Sequence, residues 1–267
     1  MMNHLFLLTI LVAFLRISFN PNEDINASFQ DTHSDSGLIS LKYDSRELYC
    51  YVTCRGNDAD RTGVIIVHED WGLTDWIKSF SEQIAELGHL VIAPDFLSWQ
   101  ESGIESTEGF MNEDLARRSL MNIGHDQIIK DLDAAYHYLR NHSLCNGKVV
   151  VIGFAWGAGQ VFDYMTGNPD LSAGFVFYGK PASDNKKLEK ITAPVYGFYG
   201  EYDSRINSSI LRTSRRMNKS GINFEPVIYE GGGHGFMRSG ERPGANEGNI
   251  KARSAAWKRL KELLSIF

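Results

Sequence analysis

The sequence has no excess of basic residues. Its 27 Lys and Arg stand against 33 Asp and Glu, a formal charge of −6. With no basic stripe to displace counterions, the composition argues against nucleic acid as a partner. The densest basic group, Lys251 to Lys261, is mixed with Ala and Trp and reads as a solvated helix face. Cysteine is scarce, at three residues. Cys50 and Cys54 lie in an extended segment that holds them roughly 13 Å apart, beyond disulfide reach. Pairing of either with Cys145 stays open beside the reading as buried free thiols. No apolar run reaches the ~20 residues needed to span a bilayer. The longest, Leu5 to Leu15, is broken only by Thr9 and has the length of a signal-peptide core.

Ile25-Asn26-Ala27 supplies small-residue character before Ser28 for a cleavage site. The sequence therefore predicts a signal peptide over 1–27, a polar linker over 28–37 and a single domain over 38–267. The expectation is export (periplasmic or secreted), with no membrane span once the leader is removed. The alternative is a cytoplasmic protein with an N-terminal helix. A chain of 267 residues suits one α/β domain, since such folds often reach about 200–250 residues undivided.

Beyond a short strand pair (39–43 and 48–54), two periodicities alternate. Thr62 to His68 is a nearly continuous apolar run, as expected for a parallel strand covered on both faces. Leu73, Trp76, Ile77, Phe80, Ile84 and Leu87 then follow helical spacing, with Gly88 as a stop. Further strands are expected at 90–93, 149–154, 173–178, 195–199 and 224–229. Helices are expected around Ile128 to Leu139 and from about Asn246 to Leu264. This alternation predicts a mostly parallel central sheet with helices on both faces. Residues 98–124 break the pattern as a long polar connection carrying Trp99, Phe110 and Met111, which reads as a lid or binding loop.

The most informative absence lies in Gly153-Phe154-Ala155-Trp156-Gly157. An apolar strand runs through a glycine-flanked turn into a helix, the layout of a nucleophile elbow. The central position should hold Ser, Cys or Asp; it holds Ala155. Other strand ends carry His68-Glu69-Asp70-Trp71-Gly72, Glu201-Tyr202-Asp203 and Gly233-His234-Gly235. The order of nucleophile position, Asp and His is that of α/β-hydrolases. In such a set His takes the nucleophile's proton and Asp fixes its tautomer. A zinc site from His68, Glu69 and His234 has no ligand spacing to support it, and no motif calls for a cofactor.

From about Thr62 onward the chain resembles the dienelactone hydrolase family of α/β-hydrolases. The resemblance is carried by H-E-x-x-G (His68 to Gly72), A-P-D (Ala93 to Asp95), the elbow, Asp203, and G-H-G-F (Gly233 to Phe236). It implies the α/β-hydrolase fold and a cysteine nucleophile where Ala155 stands. It further implies that Asp203 and His234 complete the triad and that Glu69 partners the resting thiol. The backbone N–H groups of Trp156 and Asp70 would form the oxyanion hole. The second glycine of the family's elbow is Ala158 here. Of two arginines that bind a substrate carboxylate in the family, Arg238 matches one. The other should follow A-P-D, where the chain reads Phe96-Leu97-Ser98-Trp99. Arg238 and Trp99 are thus the candidate substrate-binding residues, and the expected partner is a less polar small-molecule ester or lactone than dienelactone, taken by a monomer or small homo-oligomer.

Ala155 leaves three readings: an engineered substitution, a catalytically silent ligand-binding protein, and an enzyme in which His234 activates water directly.

Overall fold

The computed structural model describes residues 36–181 and 185–267. The expected signal peptide, and the expected linker as far as residue 35, lie outside the described residues. The last two linker residues do not stay unstructured: Ser36 and Gly37 open the first strand, β1 (Ser36–Tyr43), paired residue by residue with β2 (Arg46–Thr53). Backbone groups left free beside an exposed strand are satisfied by extending the ladder, which apolar content alone does not reveal.

Next come β3 (Arg61–Val67), α1 (Asp75–Ala85), β4 (Leu90–Pro94), α2 (Glu113–Met121), α3 (His125–Asn141) and β5 (Cys145–Phe154). They are followed by α4 (Trp156–Met165), β6 (Ala173–Phe177), β7 (Val195–Gly200), α5 (Ser204–Asn207) and α6 (Ile210–Lys219). The chain closes with β8 (Phe224–Tyr229), α7 (Phe236–Ser239) and α8 (Glu247–Leu264). The eight strands form one sheet in the order β1-β2-β4-β3-β5-β6-β7-β8. β1, β2 and β4 pair antiparallel, and every pair from β4 to β8 is parallel.

Period two sorts the central strands into two cores. Ile65, Val67, Val149 and Val151 face Leu132, Leu139, Val161 and Phe162 of α3 and α4. Val64, Ile66, Val150 and Ile152 face Ile77, Phe80 and Ile84 of α1 and Ala256 and Leu260 of α8. That two-sided burial explains the unbroken apolar runs of β3 and β5. Asn246 caps the N-terminus of α8, its side chain accepting from Asn249 N at 2.8 Å.

The 98–124 connection is not a loop throughout: it contains α2, whose N-cap Asn112 accepts from Leu115 N at 3.0 Å. Only Ala116, Ser119 and Leu120 of α2 are buried, too narrow a stripe to register as helical periodicity. None of the three cysteines forms a disulfide; Cys50 is buried and Cys54 and Cys145 are partly so. Among the described residues no helix is long and apolar enough to cross a membrane.

Candidate active site

β5 and α4 meet at Ala155, whose φ of 49° and ψ of −107° lie where L residues rarely sit. Its N–H is held by the Phe177 carbonyl of β6 at 3.0 Å. A Cβ on Gly153 would fall 2.5 Å from Gly157 O, and one on Gly157 would fall 2.4 Å from the carbonyls of both Val67 and His68. These glycines let α4 press its N-terminus onto the end of β3, as the elbow layout requires. Ala158, the departure from the second glycine, is accommodated by another glycine: its Cβ would stand 2.4 Å from any Cβ at Gly179.

Adjacent strands β7 and β8 bring Asp203 and His234 together, with His234 Nδ1 2.5 Å from Asp203 Oδ2. The Asp203 carboxylate is buried and the imidazole is partly exposed. Asp203 also caps α5, its Oδ1 accepting from Ile206 N at 3.3 Å. Capping and holding the histidine are therefore not competing roles; each oxygen takes one. Donation from Nδ1 leaves Nε2 as the basic ring nitrogen.

Glu69 follows β3 and is buried. Its Oε2 accepts from Arg238 Nε at 2.8 Å, and its Oε1 accepts from the Tyr178 hydroxyl at 3.4 Å. Burial pushes the Glu69 carboxyl above the usual glutamate range, and the Arg238 charge opposes that shift. Arg238 also lies over the Trp71 ring, 4.0 Å from its centroid. Arg238, expected from the resemblance to bind substrate, has its guanidinium engaged by Glu69 and Trp71 and is not among the residues lining the pocket beside Ala155. Trp99 is displaced further. It packs on Tyr49 of β2 at 6.3 Å between ring centroids and does not line the pocket. The chain turns at Trp99 with φ 54°, which aims the ring toward the antiparallel edge of the sheet.

Tyr178 was not legible in the sequence. It is fully buried, holds φ 40°, and sets its ring edge-on to His234 at 5.3 Å between centroids. Its signal was only a tyrosine at a strand end followed by glycine, a pattern common in ordinary turns. The strain at Ala155 and Tyr178 falls on two residues lining one pocket, as strained backbone tends to do. His68 is wholly buried against Phe96 and Trp156, and burial lowers its pKa. Its Nδ1 lies 2.7 Å from Glu69 O.

Asp95 of A-P-D accepts from Leu97 N, Thr107 N and Thr107 Oγ1 at 2.7–3.0 Å. Thr107 Oγ1 in turn accepts from Leu73 N at 2.9 Å. The motif thus pins the post-β4 loop beneath the segment carrying Glu69 and Asp70. Asp70 is held by Arg117 of α2 at 2.7 Å. Trp156 opens α4, so its N–H is one of the helix's intrinsically unpaired donors. Asp70, Ala155, Trp156, Tyr178 and His234 share the wall of a pocket of about 570 Å³. Among the described residues no group of His, Cys, Asp and Glu is arranged to hold a metal ion.

The dienelactone hydrolase family model matches residues 50–267. A Saccharolobus solfataricus protein named "Putative carboxymethylenebutenolidase" is 26% identical over 235 residues, 76% of this chain and 89% of its own. Among solved structures, a dienelactone hydrolase-like promiscuous phosphotriesterase from metagenomic libraries gives a TM-score of 0.71 at 17% identity, covering 86% of this chain and 97% of the other. The dienelactone hydrolase from Anabaena variabilis gives 0.65 at 17% identity, covering 87% and 97%. The structural likeness speaks to the fold, and the family match spans all the strand ends just described. The chain belongs to the dienelactone hydrolase family of hydrolases, built on the α/β-hydrolase fold.

Proposed function

We propose that this protein carries an assembled ester- or lactone-hydrolysing site that lacks only its nucleophile. The observation that carries the reading is Ala155 itself, held in a strained elbow conformation beside the His234–Asp203 pair. In the ancestral reaction a residue at 155 attacks the carbonyl, and His234 Nε2 takes its proton while Asp203 stabilises the imidazolium. The Trp156 and Asp70 N–H groups receive the developing oxyanion. Alanine has no electron pair to offer, so the covalent step is closed. What remains is binding, oxyanion stabilisation and a base that can act only through water.

Loss of a triad nucleophile costs about 10⁶ in kcat. Ala155→Cys is therefore expected to raise hydrolysis of 4-nitrophenyl acetate by at least about 10³ over the unsubstituted chain. Adding His234→Ala to that variant should abolish the gain. Activity already present in the unsubstituted chain and removed by His234→Ala would favour direct water activation instead. Silence of both forms would sink the hydrolase reading. A silent binding protein would then account for the pocket, a reading favoured by the Glu69 carboxylate being engaged by Arg238 and Tyr178.

A further inference from the structure

Toward an ester, His234 can act only through water, because hydrolysis needs a nucleophile. Removal of a proton from carbon does not. A base and an oxyanion site suffice for it: the C–H electron pair becomes the C=C bond of an enolate, and the charge comes to rest on the carbonyl oxygen. Ala155 therefore closes one reaction and leaves the other open.

The base is held more firmly than a histidine in an ordinary turn. Asp203 is buried and keeps His234 Nδ1 at 2.5 Å. The glycine loop ahead of the histidine is tied down twice. Gly231 N–H donates to Glu201 Oε2 at 2.9 Å, and Gly233 N–H donates to Asn249 Oδ1 at 2.8 Å. The Tyr178 ring stands edge-on to the imidazole. Among the described residues Nε2 has no partner. A methyl group at 155 offers it no hydrogen bond, so no hydroxyl or thiol competes with an approaching C–H.

The oxyanion site is built as well. The strained turn at Ala155 sets the first N–H of α4, that of Trp156, at the pocket wall. Neither it nor the Asp70 N–H donates to an acceptor among the described residues, as suits donors waiting for developing charge.

We propose that this site catalyses enolisation of a 1,3-dicarbonyl compound, such as a β-keto ester. His234 Nε2 takes the hydrogen between the carbonyls as a proton, and Asp203 stabilises the imidazolium. The C–H pair forms the C=C bond, the carbonyl pair moves onto oxygen, and the Trp156 and Asp70 N–H groups hold the enolate. The partly exposed imidazole trades its proton with water and returns one to carbon. Nothing is oxidised and no group leaves. The second carbonyl is required because it spreads the enolate charge far enough for an imidazole to serve as the base. The pocket of about 570 Å³ has room for such a compound. The reaction uses the base and oxyanion site of the hydrolase reading and asks nothing of residue 155.

Ethyl 2-methylacetoacetate carries a single hydrogen between its two carbonyls. In neutral heavy water the unsubstituted chain should erase the proton NMR signal of that hydrogen at least about 10²-fold faster than buffer alone, the low end of what a positioned base supplies. His234→Ala should return the rate to that of buffer. Free imidazole should then restore exchange in that variant beyond what imidazole does by itself. Exchange at the buffer rate with the unsubstituted chain, or exchange that His234→Ala leaves untouched, would overturn the proposal. Cleavage of 4-nitrophenyl acetate by Ala155→Cys separates the two readings. Cleavage without exchange by the unsubstituted chain sinks enolisation alone. Exchange that depends on His234, with Ala155→Cys inert toward the ester, upholds enolisation and sinks the hydrolase reading.

Discussion

At position 155 the backbone asks for a residue tolerant of φ 49° and ψ −107°, and alanine meets that demand poorly. Such a conformation in a non-glycine residue costs on the order of 1–3 kcal/mol. A functional elbow accepts the strain because it exposes a nucleophile; here the strain persists without one. Replacing Ala155 with Gly relieves it, against an opposing loss of about 0.4–1 kcal/mol from the more flexible unfolded chain. We expect Ala155→Gly to be more stable by about 1 kcal/mol in urea unfolding. A destabilised Gly variant would mean that the methyl group's packing outweighs the backbone strain. The same geometry explains why the site was legible here. Glycines at 153 and 157 are forced by carbonyls at 2.4–2.5 Å, so the turn is written in the sequence even though its central residue is not. Tyr178 is the reverse case: its contact with Glu69 spans 109 positions, and nothing local requires a tyrosine there.

Elements that carry their own periodicity were readable: β3, β5, α1, α3 and α8 each repeat a pattern over several turns or pleats. Elements fixed by partners were not. α2 is mostly exposed and owes its place to Asn112 capping and the Arg117–Asp70 pair. Trp99 was expected at the pocket because it follows A-P-D; its backbone turns at φ 54° and its ring packs on Tyr49, a contact 50 positions away that nothing local announces. Asp95 is what holds this segment. It is buried and accepts three hydrogen bonds that tie the loop to Thr107 and thence to Leu73. Asp95→Ala leaves two backbone N–H groups and a hydroxyl without their acceptor, at about 1–3 kcal/mol for each donor that water cannot reach. We expect a loss of about 2–4 kcal/mol in urea unfolding, together with faster proteolytic cleavage between 98 and 112. Unchanged protease resistance would show that α2 and Arg117 hold the loop unaided.

Across the whole molecule the sheet brings the end of β3 against α7, joining Glu69 to Arg238 over 169 positions of sequence. Neither side chain is much exposed, so neither charge can rely on water. Burial already raises the Glu69 carboxyl despite Arg238. Arg238→Met would keep bulk against Trp71 and strand the carboxylate, and breaking a buried pair in this way costs about 3–5 kcal/mol. That cost depends on pH in a definite direction. A carboxyl whose folded pKa is raised contributes stability that is fully present below its unfolded value, near 4.5, and is lost as pH rises through the folded value. Removing Arg238 raises the folded value further, so the variant loses more than the parent over that range. Urea unfolding at pH 4.5, 6 and 8 should show the gap between parent and Arg238→Met widening with pH. At the low end Glu69 takes up a proton and most of the gap closes. A gap independent of pH would show that Arg238 acts by packing on Trp71, and that the long-range pair adds no electrostatic tie between the two ends of the fold.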